Sequence, residues 1–168
     1  MKILKIRDVK TPVRANSTDA GIDFFIPKFD DEFRKEFTKL NPDLFLLYAI
    51  KQVFYIQSNE RVLIPSGIKV NIPDGYALLS RDKSGVAYKK GLSLMAGVID
   101  QTYQGEIGIL IYNTTYDEIK IESGEKIAQF LLVPILYDTI EEVKNLKELY
   151  PEGDTERAEG GYGSTGNK

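Results

Sequence analysis

The chain has 168 residues, a formal net charge of -3 and 28% charged residues, which suits one globular domain and argues against a general binder of nucleic acids or anionic membranes. It has no cysteine and no histidine, which excludes disulfides, thiol nucleophiles, Ser–His catalysis and the usual zinc sites. Acid–base chemistry therefore falls to carboxylates, lysines or tyrosines, and any metal should be a hard, oxygen-binding one.

The amino-terminal segment alternates polar and apolar residues from Lys2 to Ile6, which predicts a strand. It lacks the long apolar stretch and cleavage-site pattern of a signal peptide, so we expect an intracellular, cytoplasmic protein. The apolar run Leu44–Ile50 is too short to cross a bilayer, and no membrane is expected as a partner.

Residues 28–57 depart from the strand pattern and are interpreted as a partly helical insertion. Two aspartates can cap a helix over Glu32–Leu40, in which Phe33, Phe37 and Leu40 share one face, and an Asn-Pro pair should end it. The apolar run that follows fits a second helix or a buried strand. Packing on the core or a subunit contact is the favoured role of this segment, and docking of a partner protein by its aromatic residues is the weaker one.

The rest of the chain reads as short strands separated by turn signals. Turns are predicted at residues 65–67, 73–75 and 123–125, and strands at 61–70 (two short strands), 76–80, 105–112, 119–122 and 127–135. Many short strands at close spacing predict an all-β fold, a sandwich or barrel, in one domain over 1–168. Residues 141–168 turn charged and then glycine-rich, which predicts an exposed, flexible arm.

Five stretches carry residues suited to chemistry, although each alone has an ordinary structural explanation. Asp23 fits a turn or cap, Ser84-Gly85 a simple turn, and Asp100 the tip of a hairpin. Gln129 interrupts an apolar strand and needs a partner. The terminal RAEGGYGSTG should stay loose unless a ligand orders it, and its arginine, hydroxyls and tyrosine ring suit phosphate and a flat partner.

In this order, the five stretches resemble the motifs of the trimeric deoxyuridine triphosphatase (dUTPase) family. They are DAGIDFF (19–25), RDKSGVA (81–87), GVIDQTYQGEIG (97–108), GEKIAQF (124–130) and RAEGGYGSTG (157–166). The resemblance covers nearly the whole chain except 28–57, and an insertion there suggests a phage- or virus-type member. It implies a dUTPase-like β-barrel or jelly-roll core and a homotrimer whose active sites lie between subunits.

The resemblance further implies hydrolysis of dUTP to dUMP and pyrophosphate with Mg2+. Asp100 would hold and deprotonate the water that attacks the α-phosphorus. Tyr103 would lie against the deoxyribose and leave no room for a 2′-hydroxyl. The uracil would pair with backbone groups at Ala96, Gly97 and Val98, which rejects cytosine by leaving buried polar groups unpaired.

The triphosphate would be held by both the core and the tail, and Asp23 would touch Mg2+ through water. The predicted residues around the phosphates and in the closing tail are Lys83, Ser84, Gly85, Gln129, Arg157, Tyr162, Gly163, Ser164 and Thr165. Within the tail, Tyr162 would stack on the base. Closure of this lid would exclude water and strengthen charge interactions at the phosphates.

Four positions differ from the pattern of the family. Lys83 and Lys126 stand where arginine is usual, so a point charge replaces a bidentate fork at Lys83. Tyr162 stands for phenylalanine, which keeps a stacking face, and Ala158 stands for a glycine in the tail. None of these changes removes the predicted base.

Two alternatives share the resemblance. A dCTP deaminase has the same fold, but that family places a glutamate in a differently patterned third motif, which residues 97–108 do not match. A dUTPase-like regulatory module would instead act on a partner protein through residues 28–57.

Overall fold

The computed structural model describes residues 1–42, 44 and 52–160. The chain divides into two compact units, Met1–Leu136 and Tyr137–Lys168. The second unit, which includes the predicted arm, contains one short described helix, α3, Leu146–Leu149. No helix in the described ranges is long and apolar enough to cross a membrane.

The first unit consists mainly of short strands, named here in chain order. They are β1 Lys2–Lys5, β2 Ile22–Phe25, β3 Val53–Ile56, β4 Arg61–Pro65, β5 Ile68–Asn71, β6 Tyr76–Asp82, β7 Leu92–Leu94, β8 Val98–Ile99, β9 Gly108–Asn113, β10 Ile119–Glu122 and β11 Lys126–Pro134. Two helices accompany them, α1 Asp31–Leu40 and α2 Ser84–Lys90. The prediction of a mostly β fold is therefore confirmed.

The described strands form four antiparallel sheets with the orders β1–β5, β3–β10, β2–β11–β6–β8 and β4–β9–β7. They do not close into the barrel that was one of the expected forms. One reason lies at residues 65–67, where the predicted turn forms between β4 and β5. These two strands do not pair with each other, because β4 pairs with β9 and β5 with β1, so the chain passes from one sheet to another.

The core lies between these sheets and is built from isoleucines, leucines and phenylalanines. Phe24 of β2 and Phe130 of β11 are fully buried, and their ring centroids lie 4.2 Å apart. Ile56, Ile64 and Leu78 are likewise fully buried. Removal of any of these large side chains would leave a cavity that costs about 2–5 kcal/mol.

The helix predicted over Glu32–Leu40 forms as α1. The Asp30 carboxylate accepts a hydrogen bond from the Phe33 N–H at 2.9 Å, which satisfies one of the free donors at the start of the helix. Phe33 and Phe37 are each 2% exposed and contact Phe29 and Phe54. The helix thus packs its apolar face against the core.

This packing bears on the proposed docking role of residues 28–57. Phe29, Phe33 and Phe37 are buried in the chain's own core and are not available to a partner. The strand pattern also resumes before residue 57, because β3 pairs with β10. The apolar run after Leu44 lies outside the described residues, and the identification of 28–57 as an insertion stays a prediction.

Candidate active site

A cavity of about 200 Å³ lies beside the loop that contains Asp100. It is lined by Ser80, Ala96, Gly97, Val98, Ile99, Asp100, Tyr103, Ile107 and Gly108. The hairpin predicted at Asp100 does not form, because β8 pairs with β6 whereas β9 pairs with β4 and β7. We call this space the hairpin cavity, after that prediction, and it brings together the five residues outside the tail that were predicted to contact the water, sugar and base.

The loop that contains Asp100 is fixed at its start by the pairing of β8 with β6. Val98 and Ile99 of β8 pair with Leu79 and Leu78 of β6. Asp100 follows directly, and its carbonyl accepts a hydrogen bond from the Tyr103 N–H at 3.1 Å, which closes the turn. The Asp100 carboxylate is therefore exposed at the end of a strand that the sheet holds in place.

Ser80 is a residue of this cavity that the sequence reasoning missed. Its side chain is buried, its hydroxyl donates to the carbonyl of Ala96, and its N–H donates to the carbonyl of Gly97 at 2.8 Å. These bonds fix the backbone that was predicted to pair with uracil. The signal that could have found it is a serine within the apolar strand YALLS, because a buried hydroxyl needs a partner.

The Tyr103 ring is oriented by two groups of its own loop. Its hydroxyl donates to the carbonyl of Glu106 at 2.8 Å. A Cβ added to Gly105 would lie only 2.3 Å from the Tyr103 hydroxyl oxygen, so the ring lies directly over this glycine. The Tyr-x-Gly spacing therefore has a physical reason, since any larger residue at 105 would displace the ring.

Glu106 in turn anchors the loop between β8 and β9 to the amino-terminal segment. Its carboxylate forms a bidentate ion pair with the Arg7 guanidinium, at 2.9 and 2.8 Å, and accepts the Gly67 N–H at 2.7 Å. The hydrogen bond from Arg7 to Glu106 raises the pKa of Arg7, so the guanidinium remains charged. Both side chains are mostly buried, at 11% and 17% exposure, which makes the contact rigid.

A second cavity, of about 570 Å³, lies along β2, β11 and β6. It is lined by Ala15, Asp19, Ala20, Gly21, Asp23, Arg81, Asp82, Lys83, Gln129 and Leu131. We call it the lysine cavity. Asp23, Gln129 and Arg81 are direct partners across the three strands, so their side chains share one face of the sheet.

Asp23 is 4% exposed and is bound by two lysines. Lys83 donates to one carboxylate oxygen, and Lys126 forms an ion pair with the other at 3.0 Å. Burial raises the pKa of the Asp23 carboxyl, but the hydrogen bonds from both lysines outweigh it and leave the pKa below its ordinary value. The carboxylate is therefore ionised and already paired on both oxygens.

This pairing bears on the predicted metal contact. In the described part of the chain, no group of three or more carboxylates is arranged to hold a metal ion. Because two ammonium groups occupy the Asp23 oxygens, a hydrated cation would have to displace one of them. The residues present do not fit a metal site of the protein's own, and the water-mediated contact of Asp23 stays a prediction.

Gln129 has the partner that its place in an apolar strand demands. Its amide nitrogen donates to the carbonyl of Asp82 at 2.8 Å. A Cβ on Gly21 would lie 2.2 Å from the Gln129 amide oxygen, so a side chain just before β2 would displace this amide. Gln129 thus ties β11 to the end of β6 inside the lysine cavity.

Ser84 and Gly85 begin a helix and not the simple turn that the sequence suggested. The N–H groups of Val86 and Ala87 both donate to the carbonyl of Lys83 at 2.9 Å, and Gly91, with a φ of 66°, ends α2. A Cβ on Gly85 would meet nothing within 4 Å. The described residues of this chain therefore do not themselves require glycine at position 85.

The hairpin and lysine cavities lie on opposite faces of the sheet at β6. Ser80 shares its face with Phe130 and Ile22, and the next residue, Arg81, shares the other face with Gln129 and Asp23. The structure therefore groups Asp100 and Tyr103 in one cavity and Lys83 and Gln129 in another. It does not bring the two sets to one site within a single chain.

The predicted tail residues fall partly outside the described ranges. Arg157, in the second unit, is exposed and its Nε donates to the carbonyl of Gly160 at 2.9 Å. Ala158 has a φ of 39°, in the left-handed region that favours glycine. Tyr162, Gly163, Ser164 and Thr165 lie beyond the described residues.

Comparison with known proteins identifies sequence relatives. The sequence profile of the dUTPase family matches residues 45–166. The deoxyuridine 5'-triphosphate nucleotidohydrolase of Hydrogenobaculum sp. (strain Y04AAS1) is 40% identical over 124 residues, which cover 73% of this chain and 82% of that protein. The protein of the same name from Clostridium tetani is 34% identical over 168 residues, which cover 99% of this chain and 94% of that protein.

A similar fold occurs among solved structures. The dUTPase of Staphylococcus bacteriophage 80alpha, solved with dUPNHPP, superimposes with a TM-score of 0.74 at 25% sequence identity. The match covers 98% of this chain and 97% of the phage protein.

Proposed function

The chain belongs to the dUTPase family, and on that premise we propose that it hydrolyses dUTP to dUMP and pyrophosphate at a site built around Asp100. The observation that carries the proposal is the hairpin cavity. An exposed carboxylate, a tyrosine ring in a fixed orientation and a backbone fixed by Ser80 all line this one space.

In this proposal the hairpin cavity selects the nucleoside. Backbone groups at Ala96, Gly97 and Val98 present donors and acceptors in a fixed order, which suits uracil and leaves cytosine with unpaired polar atoms. The Tyr103 ring lies against the deoxyribose, where a 2′-hydroxyl would collide with it. Ser80 supports this selection because it prevents the backbone from adapting to another base.

Asp100 activates the attacking water. Its carboxylate accepts one proton of the water as the oxygen forms a bond to the α-phosphorus. The bond from that phosphorus to the oxygen bridging to the β-phosphorus breaks, and the electron pair leaves with pyrophosphate. A chain without histidine needs a carboxylate, lysine or tyrosine for this step, and Asp100 is the carboxylate that lines the hairpin cavity.

The lysine cavity holds the phosphates. Lys83 and Gln129 line it and supply positive charge and a hydrogen-bonding amide, and Asp23 sets the position of the Lys83 ammonium. Ser84 and Gly85, which follow Lys83 directly at the start of α2, supply further donors. Mg2+ enters as part of the substrate, since a triphosphate supplies most of the oxygen ligands that this ion prefers. The tail residues, Arg157 and those from 162 to 165, close over the nucleotide.

A nucleotide site with both sets of residues requires more than one copy of the chain. The hairpin cavity and the lysine cavity lie on opposite faces of one sheet, so in this proposal the hairpin cavity of one subunit faces the lysine cavity of another. We therefore propose a homotrimer with three shared sites, as in the family that the chain resembles. The orientation of Ser80 and Arg81 on β6 is the structural support for this arrangement.

The proposed activity is tested by pyrophosphate release from dUTP, UTP, dTTP and dCTP in parallel, with Mg2+ and with a chelator. We expect release from dUTP alone, and its loss on chelation. Ammonia formed from dCTP would indicate a deaminase instead. No release from any of the four nucleotides, with a folded protein, would contradict the proposed function.

A further inference from the structure

Arg81 lines the lysine cavity and begins the stretch 81–87, but it is not among the residues predicted to bind phosphate. It is exposed and lies two residues before Lys83. It pairs with Gln129 of β11, so the two side chains share one face of the sheet. One of its terminal nitrogens donates to the carbonyl of Ser80 at 3.1 Å. Most of the five N–H groups of its guanidinium remain open to a ligand.

Arg81 differs from the other charged residues that line the lysine cavity. Lys83 is ion-paired with Asp23, whereas Arg81 forms no ion pair with any described residue. The other two carboxylates that line the cavity have neutral donors: Asp82 accepts the Leu94 N–H at 2.7 Å, and Asp19 accepts the Asn16 N–H at 2.8 Å. Of the cations lining the lysine cavity in the described ranges, Arg81 is thus the one that an incoming polyanion meets unpaired.

We propose that Arg81 is a further substrate-binding residue, which grips the pyrophosphate portion of dUTP with its guanidinium fork. This proposal rests on the proposed function of the lysine cavity. The planar fork makes two parallel hydrogen bonds to phosphate oxygens, which a lysine cannot do. The bidentate donor missing at Lys83 is therefore supplied two residues earlier, on the same face of the chain.

The test compares Arg81→Gln and Arg81→Lys with a matched control, Arg61→Gln. Arg61 is also an exposed strand arginine, but it lies on β4 in a different sheet and lines neither cavity. We measure kcat and KM for dUTP, and binding of inorganic pyrophosphate with Mg2+ by calorimetry. Thermal melting verifies that each variant is folded.

For Arg81→Gln we expect KM for dUTP and Kd for pyrophosphate to rise about tenfold or more, with kcat changed by less than about threefold. Arg81→Lys should fall between the wild type and Arg81→Gln, because it keeps the charge and loses the fork. Arg61→Gln should match the wild type. If both Arg81 variants bind pyrophosphate as Arg61→Gln does, the proposal is wrong.

The binding measurement separates this proposal from the proposed function. If the wild type does not hydrolyse dUTP but Arg81→Gln binds pyrophosphate more weakly than the wild type, the role of Arg81 is supported and the proposed function is contradicted. Normal hydrolysis with unchanged pyrophosphate binding would contradict the role of Arg81 alone.

Discussion

Asp100 combines exposure with a fixed position, which is what a water-activating carboxylate requires. It follows a strand that pairs with β6 and its carbonyl takes part in the turn to Tyr103. An amide at this position would keep the shape of the turn but could not act as a base.

We expect Asp100→Asn to bind dUTP about as tightly as the wild type and to lose about a hundredfold to ten-thousandfold in kcat. Single-turnover rates and binding of a non-hydrolysable dUTP analogue measure the two effects separately. Because the side chain is exposed, the melting temperature should hardly change. An unaltered kcat would refute the role of Asp100 as the base.

Asp23, unlike the exposed Asp100, is buried, and its carboxylate is ion-paired with Lys83 and Lys126. Its pKa in the folded protein is below the ordinary value of 3.8. The folded state therefore binds its proton less tightly than the unfolded state does. The stabilisation from this carboxylate is complete above the unfolded pKa and is lost as the pH falls through the lower folded pKa.

We expect Asp23→Asn to lower the free energy of unfolding at neutral pH by about 1–2 kcal/mol, since it leaves two ammonium groups without their partner. The difference between the two proteins should shrink as the pH falls below 3.8 and through the lower folded pKa of Asp23, where the folded wild-type carboxylate becomes protonated. Urea unfolding over a pH series measures this. A constant difference down to the most acidic pH would contradict the ion-pair account.

At the scale of elements, we propose that the loop between β8 and β9 selects the sugar. The Tyr103 hydroxyl donates to the Glu106 carbonyl, and the Glu106 carboxylate is ion-paired with Arg7. Gly105 has no side chain that would displace the Tyr103 ring. A change that moves the ring should affect the choice between deoxyribose and ribose more than it affects folding.

We expect Gly105→Ala to reduce the preference for dUTP over UTP about tenfold or more, because its methyl group would overlap the Tyr103 hydroxyl. Tyr103→Phe is the matched control, since it keeps the ring and removes only the hydrogen bond to the Glu106 carbonyl. The ratio of kcat/KM for the two nucleotides measures the effect. The same ratio in Gly105→Ala and the wild type would remove the steric argument.

The elements that the sequence could predict are those with local signals. α1 was predictable because its capping aspartate and its phenylalanines lie within one short stretch. The turn from Asp100 to Tyr103 was predictable for the same reason, but the predicted hairpin was wrong, because β8 and β9 pair with strands distant in sequence that belong to different sheets. α2 was missed because its seven residues include a glycine and show little periodicity, and its end depends on a left-handed Gly91.

The residues that the sequence could not group depend on strand register. Lys83 and Asp23 are 60 positions apart and meet only because β11 pairs with both β2 and β6. The same register decides that Ser80 and Arg81 belong to different cavities. No local pattern reports such long-range pairing, so Ser80 and Arg81 emerged only from the structure.

At the scale of the whole molecule, the central claim is that one nucleotide is held by two copies of the chain. Asp100 of one subunit and Lys83 of another would then act on the same dUTP. This claim can be tested without knowledge of the assembled structure, because two damaged subunits can restore a complete site between them.

The most direct measurement is pyrophosphate release by Asp100→Asn and Lys83→Gln subunits, first separately and then co-expressed in one assembly. Each variant alone should be nearly inactive, and the mixed assembly should recover roughly a quarter to a third of the wild-type rate, because intact Asp100 and intact Lys83 meet in only some of its sites. A mixed assembly no more active than the variants alone would contradict the shared site.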